Sequence, residues 1–324
     1  MSDTVTGLVS VIVASYNHAE FLVPRMESLI TQTYQDIEIL VIDDCSTDSS
    51  VEILQQYKLH PKVRLVNCEQ NSGWIAVSNQ GVDMSCGEFV IFANCDDSCD
   101  SKMIERLVEC MHVNPSAGIS YCRSLMIDEQ DKVLGDDYEV REKSFRVKCC
   151  NDVLLTQKDM NRFLLHSCVI PNLSAALFRK NHFTTVGGFT SDYRVCSDWD
   201  LFFRMAAQHD VAYIAAPLNR FRQHKTTIRS STKDRVIYEE IIRLLLGQIK
   251  VLDLTLIERI KFRTRTMYLW TVHLVSSSLN GVFNFYYHFK TVMQHDPFAL
   301  IFLPLAFLFR FVTLLIKLPL RFIK

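Results

Sequence analysis

Three times between residues 8 and 97 the chain runs through a short apolar stretch and halts at a polar cluster. Leu8–Ala14 stops at Ser15-Tyr16-Asn17, Ile37–Ile42 at Asp43-Asp44, and Phe89–Phe92 runs on into Asn94-Cys95-Asp96-Asp97. Stretches of this length and β-branched content suit strands covered on both faces. Between them, Phe21, Leu22, Met26, Leu29 and Ile30 recur at helical spacing behind Asn17 and His18. Val51, Ile53 and Leu54 follow the cap-rich run Cys45-Ser-Thr-Asp-Ser-Ser50 in the same way. Val63–Val66 predicts a further strand, Asn71-Ser-Gly73 a turn and Ile75–Met84 a helix. Alternation of this kind predicts a mostly parallel, Rossmann-like sheet with helices on both faces, an α/β fold whose ligands bind beyond the carboxyl ends of the strands. All three polar clusters fall on that edge.

Each cluster alone has an ordinary structural explanation. Paired aspartates after a strand are often a turn or a helix cap, and a tyrosine at a strand end commonly packs under a loop. Together on one edge they point to a site. Adjacent carboxylates at the mouth of an apolar strand repel each other and are poorly hydrated, so Asp96 and Asp97 call for a cation or strong donors. A divalent metal site for a nucleotide diphosphate satisfies that need.

Composition narrows the partners. A chain of 324 residues with 48% hydrophobic content is long enough for one large domain plus an appendage, and too apolar for disorder. A net charge of -1 gives no global field for nucleic acid. The eleven cysteines follow no disulfide framework or C-x-x-C spacing, and Met1-Ser-Asp-Thr begins neither a basic nor an apolar leader, which predicts reduced thiols in the cytoplasm.

Further on, Met103, Ile104, Leu107, Val108 and Met111 predict one helix face within 101–112. From about Ser124 to Ile170 the chain turns polar and irregular, with a hairpin or loop over Asp128–Asp137 and a helix over Asp152–Leu165; substrate selection tends to reside in such an insertion. Leu173–Phe178 reads as a strand, Val186-Gly-Gly-Phe189 as a turn, and Val211–Ala215 as an edge strand. Ser197-Asp-Trp-Asp200 opens a helix with Asp198 near its N-terminus, where an N-cap is the plain reading and the helix dipole stabilises a carboxylate.

Taken in order, Val9-Ser-Val-Ile-Val-Ala-Ser-Tyr-Asn17, Gln32-Thr33, Ile39-Leu-Val-Ile-Asp-Asp44-Cys-Ser-Thr-Asp48, Asn71-x-Gly73, Asn79, Gly87–Asp97, Gly187-Gly-Phe189, Ser197–Leu201, Arg204 and Arg222-Gln-His224 resemble the family 2 glycosyltransferases. The likeness runs from Val9 to about Thr227 and implies a GT-A fold. By position it implies that Tyr16, Asn17 and Asp44 hold the donor nucleotide with Asn94, that Asp96 lies beside the ribose, and that Asp97 and His224 ligate Mn²⁺ or Mg²⁺. Asp198 falls where the family carries the base that deprotonates the acceptor hydroxyl. Three positions depart from the family pattern: Asn94 replaces the first acid of Asp-x-Asp, Ser197 replaces the acid before the base so that Asp200 is a second candidate, and Asn172-Leu-Ser-Ala-Ala176 lacks glycine.

Beyond the core, helical periodicity and aromatic area over Asp234–Asn280 predict packing helices. The tail from Phe298 is almost wholly apolar, interrupted by Arg310, Lys317, Arg321 and Lys324, which at 100° per residue fall within about 60° of one another. One basic stripe on an apolar helix predicts a helix lying in a membrane interface. Pro304 and the midway Arg310 argue against a span.

The expected organisation is a GT-A domain over residues 1–230, with a nucleotide-sugar half over about 1–122 and an acceptor half over about 123–230, then a helical extension over 231–295 and a membrane-associating tail over 296–324. The expected activity is inverting, metal-dependent transfer of a hexose from a nucleotide-diphosphate donor, a UDP-sugar, to a saccharide acceptor that is lipid-linked, in bacterial surface polysaccharide synthesis. The expected place is the cytoplasmic face of the inner membrane, peripherally attached and with no nucleic-acid partner. Two alternatives stand beside it, a polyprenyl-phosphate sugar transferase and a non-catalytic sugar-nucleotide-binding membrane scaffold.

Overall fold

The structure, a computed structural model, describes residues 4–224, 232–279 and 285–317. It divides into two compact units, residues 1–163, 168–192 and 197–225 in one and 164–167, 193–196 and 226–324 in the other.

The first unit is built on a ten-stranded sheet. Its opening half follows the expected alternation: β1 (Val5–Ser15), α1 (Ala19–Ile30), β2 (Ile37–Asp43), α2 (Ser50–Gln55), β3 (Val63–Asn67), α3 (Trp74–Met84) and β4 (Gly87–Phe92). After it come β5 (Ser98–Cys99), α4 (Met103–Val113), β6 (Ala117–Ile127), β7 (Val133–Asp136), α5 (Lys143–Lys148), β8 (Val153–Leu155) and α6 (Gln157–His166). A short 3-10 turn over Leu173–Ala175 leads into β9 (Ala176–Arg179), α7 (Lys180–Thr185), α8 (Ser197–Ala206) and β10 (Asp210–Arg222).

The strands lie in the order β3-β2-β1-β4-β9-β6-β10-β5, with β7 beside β6 and β8 beside β10. β1, β2, β3 and β4 are parallel, and so are β6 and β10. β9 is antiparallel to both β4 and β6, so all six long strands point the same way and only the short β5, β7, β8 and β9 oppose them. This is the expected mixed, mostly parallel sheet, and it brings the carboxyl ends of β1, β2, β4 and β10 to one edge.

Burial on both faces explains the apolar runs. Val9, Val11, Val13, Ile39, Val41, Phe89 and Ile91 form one core layer with Leu22, Met26 and Leu29 of α1 and Met103, Leu107 and Met111 of α4. Two glycines permit close approach: a Cβ on Gly81 would lie 2.5 Å from an Ile12 methyl, and one on Gly87 would lie 2.6 Å from the Leu8 carbonyl. Side chains at those points would push α3 and β4 off β1.

Three elements differ from expectation. The stretch expected as one helix over Asp152–Leu165 is strand β8 followed by α6. The edge strand expected over Val211–Ala215 is β10, thirteen residues long, paired with β6 on one side and with β5 and β8 on the other. Pro217 marks its register shift, where a ladder can spare the missing N–H. β6 is the third, a central strand whose sequence does not look like one: Ser120 and Ser124 are buried in it, Ser120 donating to the Leu107 carbonyl and Ser124 Oγ accepting from Asn219 Nδ2.

The second unit is helical. It contains helices Asp234–Val251, Leu256–Leu279 and Phe285–His295, a 3-10 segment over Pro297–Phe302 and helix Leu303–Lys317. Trp270 is fully buried within it, and the Arg263 guanidinium donates to buried Asp296 at 2.6 Å.

One histidine pair ties stability to pH. The rings of His182 on α7 and His209 after α8 stack with centroids 3.7 Å apart and planes 2° from parallel. Burial, then the charges of His209 and Arg179, push His182 down to about 4 from its ordinary 6.5. Burial lowers His209 as well, Arg179 adding to the effect and Asp210 opposing it. Folded His182 therefore declines a proton that the unfolded chain accepts below about 6.5, so stability is intact above that pH and falls as pH drops toward 4. Discounted for solvent screening, the expected loss between pH 7 and 5 is about 1 kcal/mol. Thermal unfolding of wild type and His182→Gln at the two pH values checks it, and an equal drop in both proteins would rule the pair out.

Candidate active site at the carboxyl edge of the sheet

The ends of β1 and β2 are knitted by short side chains. Asp43 accepts from Ser15 Oγ and from both the N–H and the hydroxyl of Ser46. Asn17, at a positive φ of 54°, accepts from the Thr47 N–H at 2.8 Å and donates its own N–H to Ser46 Oγ. Asp44 is buried and takes the Ser72 and Gly73 N–H groups at 2.8 Å each, fixing the turn before α3. Tyr16 stands at the rim with 43% of its surface exposed, while its carbonyl lies 2.7 Å from His18 Nδ1.

The acid pair at the end of β4 splits into unlike environments. Asp97 is 1% exposed. Its Oδ2 accepts from Asn172 Nδ2 and Ser174 Oγ at 2.6 Å and from Asn94 Nδ2 at 3.4 Å, and its Oδ1 from the Arg222 N–H at 3.0 Å. Burial, then the charge of Asp96, raise its pKa against the pull of Arg25 and these donors. Asp96 is half-buried and its Oδ2 lies 2.7 Å from His224 Nε2. There burial is outweighed by the His224 hydrogen bond and by the charges of His18 and His224, so its pKa falls, while the same bond raises that of His224. A ligand oxygen of Asp96 and ring nitrogens of His18 and His224 all lie within 4.8 Å of one another.

The expected assignment put Asp97 with His224 on the metal and Asp96 beside the ribose. The geometry groups His224 with Asp96 instead and surrounds Asp97 with donors. His18, read from sequence only as part of a helix start, is the third member of that group. Asn172 and Ser174, the loop noted for lacking glycine, serve as donors to Asp97. Asn172 in turn accepts from Asn219, which also donates to Ser124, extending the polar chain to β6.

Arg222 locks this arrangement. Its buried guanidinium donates to the carbonyls of Asp96 and Asp128 at 2.7 Å and to the Asp131 carboxylate at 2.6 Å, and it lies over the Phe21 ring. It thus binds the acid turn, the hairpin tip and α1 together.

Asp198 comes from a separate element. It is half-buried in the first turn of α8, where its Oδ1 accepts from the Trp199 N–H. Ser197 is fully buried and donates to the Thr190 carbonyl, anchoring the helix start. Asp200 is engaged by Arg204 Nε at 2.8 Å, and Arg204 also donates to the Val186 carbonyl. Asn79 on α3 holds the adjoining Gly187-Gly188-Phe189 turn by two bonds to the Phe189 backbone.

A model of the family described as glycosyl transferase family 2 matches residues 10–180. The chain is 29% identical over 186 residues to glycosyltransferase GlyG of Streptococcus pneumoniae, covering 55% of this chain and 60% of that protein. It is 35% identical over 105 residues to the putative teichuronic acid biosynthesis glycosyltransferase TuaG of Bacillus subtilis, covering 32% of this chain and 42% of that one. The chain thus spans less than two thirds of either relative. Among solved structures it resembles S. aureus TarS residues 1–349 in complex with UDP-GlcNAc, with a TM-score of 0.63 at 18% identity over 85% of this chain and 74% of that one. At that identity the likeness speaks for the fold, and the fold is the GT-A arrangement.

Because the buried Arg222 guanidinium ties two half-buried backbone carbonyls and the Asp131 carboxylate together, Arg222→Met is expected to lower unfolding stability by about 3 kcal/mol. Urea denaturation measures it, and a loss below about 1 kcal/mol would show that the clamp is not needed for folding.

Proposed function

The chain belongs to glycosyl transferase family 2, and from that premise we propose that it moves a hexose from a UDP-sugar to a hydroxyl of a saccharide acceptor, with inversion at the anomeric carbon. The observation that carries the reading is the pairing of Asp96 with His224 at the edge where β1, β2 and β4 end. The UDP-GlcNAc complex of the structural neighbour supports the choice of donor, and the teichuronic acid role in the name of one relative supports polysaccharide as the product class.

In this reading exposed Tyr16 stacks on the base, while Asn17, Asp44 and Asn94 shape the pocket through the loops they hold. The donor set at Asp96, His224 and His18 fits Mn²⁺ or Mg²⁺: ligand atoms on a common ion lie at most about 4.2 Å apart, close to the spacing here. When bound, the ion neutralises the leaving diphosphate. Asp97, which the resemblance places on the metal, lies beside this set with its oxygens taken by Asn172, Ser174 and the Arg222 N–H. Asp198 accepts the proton of the acceptor hydroxyl as that oxygen attacks. Asp200 is spent on Arg204, which leaves Asp198 as the base.

The acceptor is lipid-linked in this reading, and the protein sits peripherally on the cytoplasmic face of the membrane. No helix among the described residues is long and apolar enough to cross a membrane. Phe298, Ile301, Leu305, Phe307, Leu308, Phe309 and Phe311 are nevertheless exposed, with half-buried Arg310 between them in sequence. Of the other basic residues in the expected stripe, Lys317 ends the described helix, and Arg321 and Lys324 lie outside the described residues. Aromatic and aliphatic side chains beside cations suit the headgroup boundary of an anionic bilayer.

A panel of sugar nucleotides with Mn²⁺ tests the transferase reading. Asp198→Asn is expected to cut turnover about 10²- to 10⁴-fold with donor binding kept, and Asp96→Asn to weaken UDP binding. Retained turnover in Asp198→Asn would remove it as the base, and absence of nucleotide binding in wild type would end the reading. For the membrane, Phe307→Glu/Phe311→Glu is expected to abolish co-flotation with anionic vesicles, and unchanged flotation would refute the attachment.

A further inference from the structure

We propose that His18 is a third protein ligand, making this a two-histidine, one-carboxylate metal site that takes a transition ion such as Mn²⁺ or Co²⁺ in preference to Mg²⁺. The proposal rests on the metal-dependent reading above and deepens it.

Three observations place His18 in this role. Its donor nitrogen lies within 4.8 Å of both the Asp96 oxygen and the His224 nitrogen. Its Nδ1 sits 2.7 Å from the Tyr16 carbonyl, an acceptor only, so Nδ1 carries a proton and Nε2 is the ring nitrogen left to bind a metal. Its backbone is fixed as well, since the His18 N–H donates to Ser50 Oγ and the neighbouring Ala19 N–H to Asp48. His224, across the site, is held by its ring contacts to Phe21 at 5.2 Å and to His18 at 6.3 Å. Two imidazoles and one carboxylate form a borderline donor set. Mg²⁺ favours all-oxygen coordination and sheds water reluctantly, whereas Mn²⁺, Co²⁺ and Zn²⁺ accept imidazole.

The test uses untagged full chain and metal alone, with Asp96→Asn as the reference that isolates this site from the cysteines. Co²⁺ and Mg²⁺ are titrated by calorimetry, and pulsed EPR of bound Mn²⁺ counts coordinated imidazoles. His18→Asn keeps a residue suited to a helix start while removing the ring, and unchanged thermal unfolding certifies its fold. The expected result is two imidazoles in wild type and one in His18→Asn, with Co²⁺ affinity reduced at least about tenfold in the variant. Two imidazoles in His18→Asn, an undiminished Co²⁺ affinity, or equal affinity of wild type for Mg²⁺ and Co²⁺ would overturn the proposal while leaving metal dependence standing. Binding that also survives Asp96→Asn, or no binding in wild type, would take the metal reading down with it.

Discussion

Putting a carboxylate where water cannot reach it is tolerable only if donors replace the water, and Asp97 gathers them from its own turn and from two distant stretches of chain. Asn94 is its near neighbour, Asn172 and Ser174 arrive from the turn before β9, and the Arg222 N–H arrives from the end of β10. The fully buried charge of Arg25 on α1 acts in the same direction, opposing the rise that burial imposes. Assembling these donors brings the acid turn, the β9 approach and the β10 terminus together. Asp96 and His224 meet as a result, one residue before Asp97 on one side and two after Arg222 on the other.

This division of labour accounts for the unlike behaviour of two adjacent aspartates. One is solvated by protein and serves the frame. The other faces a pair of imidazoles and remains partly open, as a group that must exchange partners requires. Asp200 and Asp198 show the same contrast on α8: the buried acid is tied to Arg204, and the half-buried one stands in the first turn, where the helix dipole favours its ionised form.

The first half of the fold was legible because β1, β2 and β4 are buried on both faces and bounded by turn residues. β1, β2 and β4 each carry a continuous apolar run, and the carboxyl-edge clusters could be placed from alternation alone. β6 escaped notice since its serines are satisfied by partners far along the chain, at Leu107 and Asn219, and periodicity carries no information about such partners. β8 and β10 were misjudged for a related reason: three residues are too few for a pattern, and Pro217 interrupts the longer strand. Within the site, the residue types were evident, but not which aspartate faces which histidine. Both acids lie in the turn between β4 and β5, where no strand alternation dictates which way a side chain points, so the sequence pattern does not say which acid meets which partner.

β9 is a seam. Four strands lie on one side of it and the β6–β10 pair on the other, and it is joined to each by three paired residues, Phe89 to Ile91 on β4 and Ile119 to Tyr121 on β6. The acid turn crosses it: Asp96 and Asp97 follow β4 of the first block, while β5 just after them pairs with β10 of the second and Asp97 accepts the Arg222 N–H there. The Asp96–His224 spacing is therefore set by a splice laid across the seam and does not depend on the short β9 ladders alone.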